Sequence, residues 1–330
     1  MKKVFYLIPL YNSANTISEC LFSICSLKHI VEVVVINDNS QDNSGITINK
    51  IKNKLPYKIH VINNKSNIGI SDSLNKGLEI ALSNNADYVI RLDSDDLNTK
   101  GRTDLQIEYM ESNPTKMICT SNAKLLNGIN IKNGFILKLK SLFENQFRPF
   151  SNLVGSIDLH PTFCMRIEPF RKFGIRYGYL PANLNQNNYE FFIREGMEDL
   201  LLINLFIYFY GFNCIHREVS KKLITYRINS KSLTPHSQDI RQKLLQKIFL
   251  ANQLIFNIKP TEEVDLYCLW ELSSAISCHY YKNKITRIFS TFIGFLIIKL
   301  NYSNKIYKKL VFPILFFIIP RLSIQSIKRI

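Results

Sequence analysis

Three carboxylates stand within four residues in Leu92-Asp93-Ser94-Asp95-Asp96. Carboxylates that close repel one another unless a cation neutralises them. An all-oxygen donor set favours a hard divalent ion, Mn²⁺ or Mg²⁺, with substrate phosphates completing the coordination. A solvated acidic turn capping the next helix would use the same residues, so the surroundings decide. They are polar stretches that each follow an apolar run: Pro9-Leu10-Tyr11-Asn12, Asn37-Asp38-Asn39-Ser40 and Asn63-Asn64-Lys65-Ser66-Asn67-Ile68-Gly69. Taken singly, Asp38 is either an Asx-turn or N-cap residue or an acceptor for a nucleobase imide. Tyr11 either closes a sheet end or stacks on a base.

The elements that must position these loops come next. Val4–Ile8, Val33–Ile36, Ile59–Ile62 and Tyr88–Ile90 are short apolar runs rich in β-branched residues, without polar alternation. Such runs suit strands covered on both faces. Between them lie helical spacings: Ile17, Leu21, Ile24 and Cys25; Ile46, Ile48 and Ile51; Leu74, Leu78 and Leu82. Strand–helix repetition implies an α/β fold with a Rossmann-like, mostly parallel sheet flanked by helices. Ligands of such sheets sit beyond the carboxyl ends of the strands, where all four loops fall. After about residue 120 the rhythm weakens, and no elements are assigned over 121–195. A buried helix is expected over Glu198–Tyr210, closed by Gly211, and another over 241–258.

Composition sets the outer limits. With 46% hydrophobic and 21% charged residues among 330, the chain has material for a core and is not broadly disordered. Seven scattered cysteines without a C-x-x-C pair argue against a disulfide scaffold or zinc site and fit a reducing compartment. Met1-Lys2-Lys3 imitates a signal peptide, but the apolar run behind it stops at Asn12 and reads as a first buried strand. The net charge of +16 is uneven: after Glu271 there is no acidic residue, and ten lysines and arginines give the last 59 residues +10. There, Ile288–Ile298 and Leu310–Pro320 are uncharged runs of 11 residues each, short of the roughly 20 that cross a bilayer. Apolar runs beside basic clusters suit an interfacial, non-spanning anchor; core helices with solvated lysines are the alternative. No nucleic-acid reading motif or aromatic-interleaved basic stripe appears, so nucleic acid is not an expected partner.

Other residues carry two readings each. Glu198 and Asp199 either start the apolar helix behind them, as acids favour a helix N-terminus, or work on a substrate. His160, beside Pro161, shapes an acceptor side or is a satisfied buried imidazole. Arg102 and Gln106, one turn apart, either order the acidic loop or serve structure alone. Arg166, Arg171, Lys172 and Arg176 form a basic cluster suited to a diphosphate or simply to solvent. His29, His60, His216, His236 and His279 show no ligand spacing.

Seven motifs in order resemble glycosyltransferase family 2, inverting enzymes of the GT-A fold that use nucleotide-sugars. They are Ile8-Pro9-Leu10-Tyr11-Asn12, Ile36-Asn37-Asp38-Asn39-Ser40, Asn67-Ile68-Gly69, Leu92-Asp93-Ser94-Asp95-Asp96, His160-Pro161-Thr162, Glu198-Asp199 and Tyr226-Arg227-Ile228-Asn229-Ser230-Lys231-Ser232-Leu233-Thr234. The resemblance covers roughly residues 3–235. It implies that Pro9, Tyr11, Asp38 and Asn67 bind the nucleotide, and that Arg227 approaches its diphosphate. Asp93 and Asp95 would hold the metal, Asp95 more directly, and Asp199 would be the general base, with Glu198 and His160 on the acceptor side. Asn229 stands where the family usually has histidine; an amide oxygen can still ligate a cation but cannot carry a proton.

The chemistry is coherent with these residue types. A leaving diphosphate needs its charge neutralised, and an acceptor hydroxyl needs a carboxylate to take its proton. The resulting expectation has three parts: 1–120 a nucleotide-sugar-binding half, 121–238 an acceptor-binding and catalytic half, and 239–330 a helical region with a basic amphipathic, membrane-associating tail. The enzyme would move a hexose from a UDP-sugar to a polyprenyl-diphosphate-linked acceptor. That would occur at the cytoplasmic face of a bacterial inner membrane, in O-antigen (lipopolysaccharide) or capsule assembly. A non-catalytic nucleotide- and membrane-binding basic protein, or a Mg²⁺-dependent phosphoryl-transfer enzyme, is the alternative.

Overall fold

A computed structural model of the chain describes residues 1–126, 159–184, 196–227, 238–258 and 266–302. The four apolar runs form β1 (Lys3–Leu10), β2 (Ile30–Asn37), β3 (Lys58–Asn63) and β4 (Tyr88–Arg91). They pair in parallel in the order β3-β2-β1-β4. Helices α1 (Ile17–Phe22), α2 (Ser44–Ile51) and α3 (Ile70–Ser83) make the crossovers, because parallel neighbours need a connection long enough to return to the same end.

Past β4 the sheet departs from the mostly parallel arrangement expected for it. The chain adds β5 (Leu97–Asn98), α4 (Arg102–Ser112), β6 (Ile118–Leu125), β7 (Cys164–Arg166), α5 (Glu168–Phe173), α6 (Glu198–Tyr210) and β8 (Ile215–Tyr226). The full order is β3-β2-β1-β4-β7-β6-β8-β5. β7 runs antiparallel to both β4 and β6, β8 is parallel to β6, and β5 is antiparallel to β8. A strand entering beside β4 from the His160 turn runs back along it, so antiparallel pairing needs no crossover there. One sheet therefore takes strands from both sides of residue 120.

Both faces of the sheet are covered, which explains the unbroken apolar runs. Along β1, Phe5 and Leu7 face α3 and α6, whereas Val4, Tyr6, Ile8 and Leu10 face α1, α2 and α4. Helix α3 lies very close: a Cβ on Gly77 would sit 2.8 Å from the Ile36 Cδ1 atom. Helix α6 has the expected bounds, Glu198–Tyr210, and ends at Gly211 (φ 77°). Helix α7 (Gln238–Ile255) adds Ile248, Ala251 and Ile255 to the core that holds α6.

Helices α8 (Leu266–Tyr280) and α9 (Lys284–Tyr302) form a hairpin. Its join to the core is aromatic: the His279 ring stacks on Tyr208 of α6, centroids 4.8 Å apart at 9°. The run Ile288–Ile298 lies within α9, while Leu310–Pro320 lies outside the described residues. No described helix is long and apolar enough to cross a membrane.

The residues that tie the second half of the sheet to the first are polar. Arg102 is fully buried. It donates to the Gln106 Oε1 atom (2.9 Å), the Asn98 Oδ1 atom (3.3 Å) and the Arg91 carbonyl (3.1 Å). Gln106 donates in turn to the carbonyls of Cys119 (3.2 Å) and Thr162 (2.9 Å). Arg102 and Gln106 thus join β4, β5, β6 and the His160 turn. Replacing Arg102 with Met would strip a donor from three buried oxygens. We expect a loss of about 2–4 kcal/mol, seen as a lower urea midpoint at unchanged m.

Candidate active site

The four polar loops emerge together at the carboxyl edge of β3-β2-β1-β4 and are laced to one another. Gln41 donates its backbone N–H to the Asn12 side chain (2.8 Å), and Asn12 donates its own to Ser40 Oγ (3.1 Å). Ser94 Oγ donates to Ser13 Oγ (2.9 Å), and the Thr16 hydroxyl donates to the Ser94 carbonyl (3.0 Å). Asn12 (φ 49°) and Asn39 (φ 59°) turn the first two loops in the left-handed region, which asparagine tolerates better than most residues.

Asp38 is buried, and its carboxylate closes the third loop. It accepts from Asn64 Nδ2, the Ile68 N–H and the Gly69 N–H, each at 2.9 Å. Asn67 caps the same turn, its side-chain oxygen accepting from the Gly69 N–H at 3.2 Å. Tyr11 is half exposed, its ring available to a flat ligand, and Pro9 lies at the end of β1.

Asp93, Asp95 and Asp96 each bring a carboxylate oxygen within 4.8 Å of the others. Burial, and then the charge of Asp93, raise the Asp95 carboxyl above its ordinary value and push Asp96 up to about 9. Asp96 was not singled out as a ligand beside Asp93 and Asp95, because three adjacent carboxylates look alike in a sequence. In the fold it is the deepest of them. Its Oδ1 atom accepts from the Arg227 N–H (2.9 Å), and its Oδ2 atom is buried without a partner. A compact all-oxygen set, with a buried free oxygen and mutual repulsion to relieve, fits a divalent cation.

Two arginines brace this loop. Arg91, 1% exposed at the end of β4, donates to Asp93 Oδ1 at 2.6 Å. Arg227 donates Nε to the Asp95 carbonyl (2.7 Å) and Nη2 to Glu19 (2.5 Å). The Arg227 side chain therefore holds the carboxylate loop in place. Asn229 lies outside the described residues. Sequence reading passed over Arg91; a charged residue ending a buried strand is the signal that marks it.

Arg91 also reaches the other half of the site. Its charge acts on Asp93, Asp95 and Asp96 and also on Glu198 and Tyr177. Glu198, buried at the start of α6, pairs with the His160 Nδ1 atom at 3.2 Å. Burial works to raise that carboxyl, but the His160 hydrogen bond and charge outweigh it and hold Glu198 below its ordinary value. Asp199, beside it and partly exposed, has the opposite balance: burial, and then the Glu198 charge, raise it to about 6. Two adjacent carboxyls are thus driven apart in proton affinity, the pattern of an acid–base site. Gly196 (φ 96°) and Met197 (φ 61°) form the turn that presents them. A left-handed methionine costs about 1–2 kcal/mol, which the surrounding core sustains. Tyr177, fully buried, has a hydroxyl without a partner near both carboxyls. No local pattern marks it, since a neighbour 102 residues distant in α3, Asn75, holds its backbone (2.8 Å).

Comparison with known proteins bears on the family and the fold. The model of the family described as glycosyl transferase family 2 matches residues 6–174. The chain is 27% identical over 165 residues to the poly-beta-1,6-N-acetyl-D-glucosamine synthase of Staphylococcus aureus (strain MSSA476). That match covers 50% of this chain and 36% of the relative, so it spans little more than a third of that protein's length. The Staphylococcus epidermidis synthase of the same name is 29% identical over 129 residues, covering 39% and 30%. S. aureus TarS 1-349 in complex with UDP-GlcNAc matches with a TM-score of 0.51 at 17% identity, covering 91% of this chain and 90% of that one. Its complex with UDP gives 0.50 at 20% identity, covering 84% and 71%. Identity that low bears on the fold alone: a GT-A sheet, mixed and flanked by helices.

The carboxylate cluster makes a prediction of its own. Titration with Mn²⁺, followed by electron paramagnetic resonance, should show one bound ion per chain. Asp93→Asn and Asp95→Asn should each weaken binding by about tenfold or more, since each deletes a charged ligand. Binding of equal strength in both variants would show that the loop is not a metal site.

Proposed function

Because the chain belongs to glycosyltransferase family 2, we propose that it transfers a hexose from a UDP-sugar to a hydroxyl of a lipid-linked glycan, with inversion. The donor sugar is glucose, galactose or an N-acetylated form, and the new linkage is β. The acceptor is a polyprenyl-diphosphate-linked sugar at the cytoplasmic face of a bacterial inner membrane, used in building a surface polysaccharide such as O-antigen or capsule. Relatives named for β-1,6-linked N-acetyl-D-glucosamine favour the N-acetylated donor and the β-linkage.

One observation carries the reading. A carboxylate cluster suited to a cation lies within the electrostatic reach of one buried arginine, Arg91, and so does Glu198, whose neighbour Asp199 is raised to about 6. Asp93, Asp95 and Asp96 hold Mn²⁺ or Mg²⁺, with Asn229 a further oxygen donor. When bound, the ion neutralises the diphosphate as it leaves. Pro9, Tyr11, Asp38 and Asn67 form the uridine pocket in the half over 1–120. Asp38 orders the loop that closes the pocket, and Tyr11 gives the base a ring to stack on. Arg227 fixes the acidic loop against β8, beside the diphosphate.

The half over 121–238 supplies the acceptor side. His160 and Glu198 orient the acceptor, and Asp199 takes the proton from its hydroxyl. As that proton leaves, the oxygen bonds to the anomeric carbon and the carbon–oxygen bond to UDP breaks. The base and the metal-binding carboxylates sit on different segments of chain, an arrangement that allows attack from the face opposite the leaving group. The charged Glu198 beside Asp199 keeps the base from ionising too easily, which makes it a better proton acceptor near neutrality. The region 239–330 associates with the membrane through its basic, apolar tail.

The test is incubation with a panel of UDP-sugars and synthetic diphospholipid acceptors, with and without Mn²⁺. Products are read by mass spectrometry and by the anomeric coupling in NMR. Acceptor-dependent UDP release and a β-anomer are expected; an α-anomer, or UDP release indifferent to acceptor, would overturn the reading. Asp199→Asn should lower kcat by ~10²–10⁴-fold with little change in Mn²⁺ affinity. A carboxyl raised to about 6 is protonated, and idle as a base, below that pH. The ratio kcat/KM should therefore fall about tenfold per unit below pH 6 and level off above it.

A further inference from the structure

Helix α9 divides its side chains between two uses. Ser290, Thr291 and Ile293 are buried, and the Ser273 hydroxyl of α8 donates to the Thr291 carbonyl (2.5 Å), so this side forms the interior of the hairpin. Ile285, Ile288 and Phe292 are spaced three and four residues apart and share the other side. They remain 79%, 64% and 51% exposed. Phe295 continues the stripe by one turn and meets the edge of Trp270 from α8, centroids 5.5 Å apart at 68°. Trp270 is itself 43% exposed. Large apolar side chains gathered in one surface patch mark a contact surface.

The surrounding charge identifies the occupant. Lys282 and Lys284 are exposed at the start of the stripe, and Arg287 braces that corner by donating to the Lys282 carbonyl (2.9 Å). No acidic residue follows Glu271 in the sequence. A second copy of the chain would bring the same uncompensated positive charge against itself. An anionic bilayer complements every part: the apolar ridge enters the acyl boundary, the indole sits at headgroup level, and the lysines meet lipid phosphates.

We propose that this edge of the α8–α9 hairpin is the face by which the protein lies on an anionic lipid bilayer, using Trp270, Ile285, Ile288 and Phe292 with Lys282 and Lys284. Its purpose rests on the membrane-borne acceptor proposed above. The hairpin contacts the carboxyl-terminal end of α6 through the stack of His279 on Tyr208. The opposite end of that helix carries Glu198 and Asp199. Thirteen residues of helix, roughly 20 Å at 1.5 Å per residue, join the lipid-facing hairpin to the base, so α6 is the strut that relates bilayer to reaction centre.

Trp270 is the only tryptophan in the chain, and its fluorescence reads the contact directly. Vesicles of phosphatidylcholine with phosphatidylglycerol should shift its emission to the blue, and brominated acyl chains should quench it; pure phosphatidylcholine should do far less. Ile288→Ser combined with Phe292→Ser should weaken partitioning by about tenfold or more. Lys282→Gln combined with Lys284→Gln should do so on anionic vesicles only, at about fivefold per charge. Because all four side chains are exposed, both variants should keep the wild-type melting temperature and its UDP release with a soluble acceptor. Co-sedimentation with an unquenched Trp270 and unaffected variants would move the contact elsewhere in the chain; that overturns this inference and spares the membrane-borne acceptor. No vesicle binding by the wild type, or a dimer that the serine variants dissolve, would overturn it as well. Quenching of Trp270 without any sugar transfer would leave the lipid face standing and sink the proposed reaction.

Discussion

Crowded negative charge at the mouth of a buried sheet is the constraint that the other parts of this molecule answer. Asp93, Asp95 and Asp96 arrive on one turn, and Glu198 with Asp199 on another. In a medium less polarisable than water, such repulsion raises carboxyl proton affinities and works against folding. The protein answers with buried basic side chains. Arg91 bonds Asp93 and its charge reaches Glu198, Arg102 bonds the carbonyl of Arg91, and His160 pairs with Glu198. Compensation is incomplete at Asp95, Asp96 and Asp199, all of which stay raised. An incoming cation or a proton would complete what the arginines leave undone.

The first half of the fold could be read from the sequence because its signals are local. Unbroken runs such as Val33–Ile36 suit a strand covered on both faces, and they became β1 to β4, paired in parallel as expected. The loops after them had nowhere else to converge. Helix α6 was equally legible, since an apolar run between an acidic pair and a glycine defines both its ends. The antiparallel insertion of β7 was not legible. It is three residues long, and its place beside β4 depends on pairing across some 75 residues of chain.

The site shows the same division. Asp93 and Asp95 declare themselves by type and spacing, whereas Asp96 gains its depth only when Arg227 arrives from β8 to bond it. Arg91 and Tyr177 owe their importance to neighbours far along the chain, and no window of residues contains that information. Arg102 and Gln106 are an intermediate case. Their spacing puts them on one helix face, but only the fold reveals that their acceptors belong to three strands and the His160 turn.

Helix α6 has no side that faces water along most of its length: every residue from Leu200 to Ile207 is buried, between the sheet and the carboxyl-terminal helices. During synthesis this segment leaves the ribosome before α7 and α8 exist to cover it. Its outer wall is then fully covered only when about seventy further residues, to the end of α8, have emerged, an interval in which such a surface invites aggregation or a chaperone's hold. The carboxyl-terminal helices are accordingly needed to finish the packing around α6, and Glu198 and Asp199 at its start are held firmly only once those helices are in place.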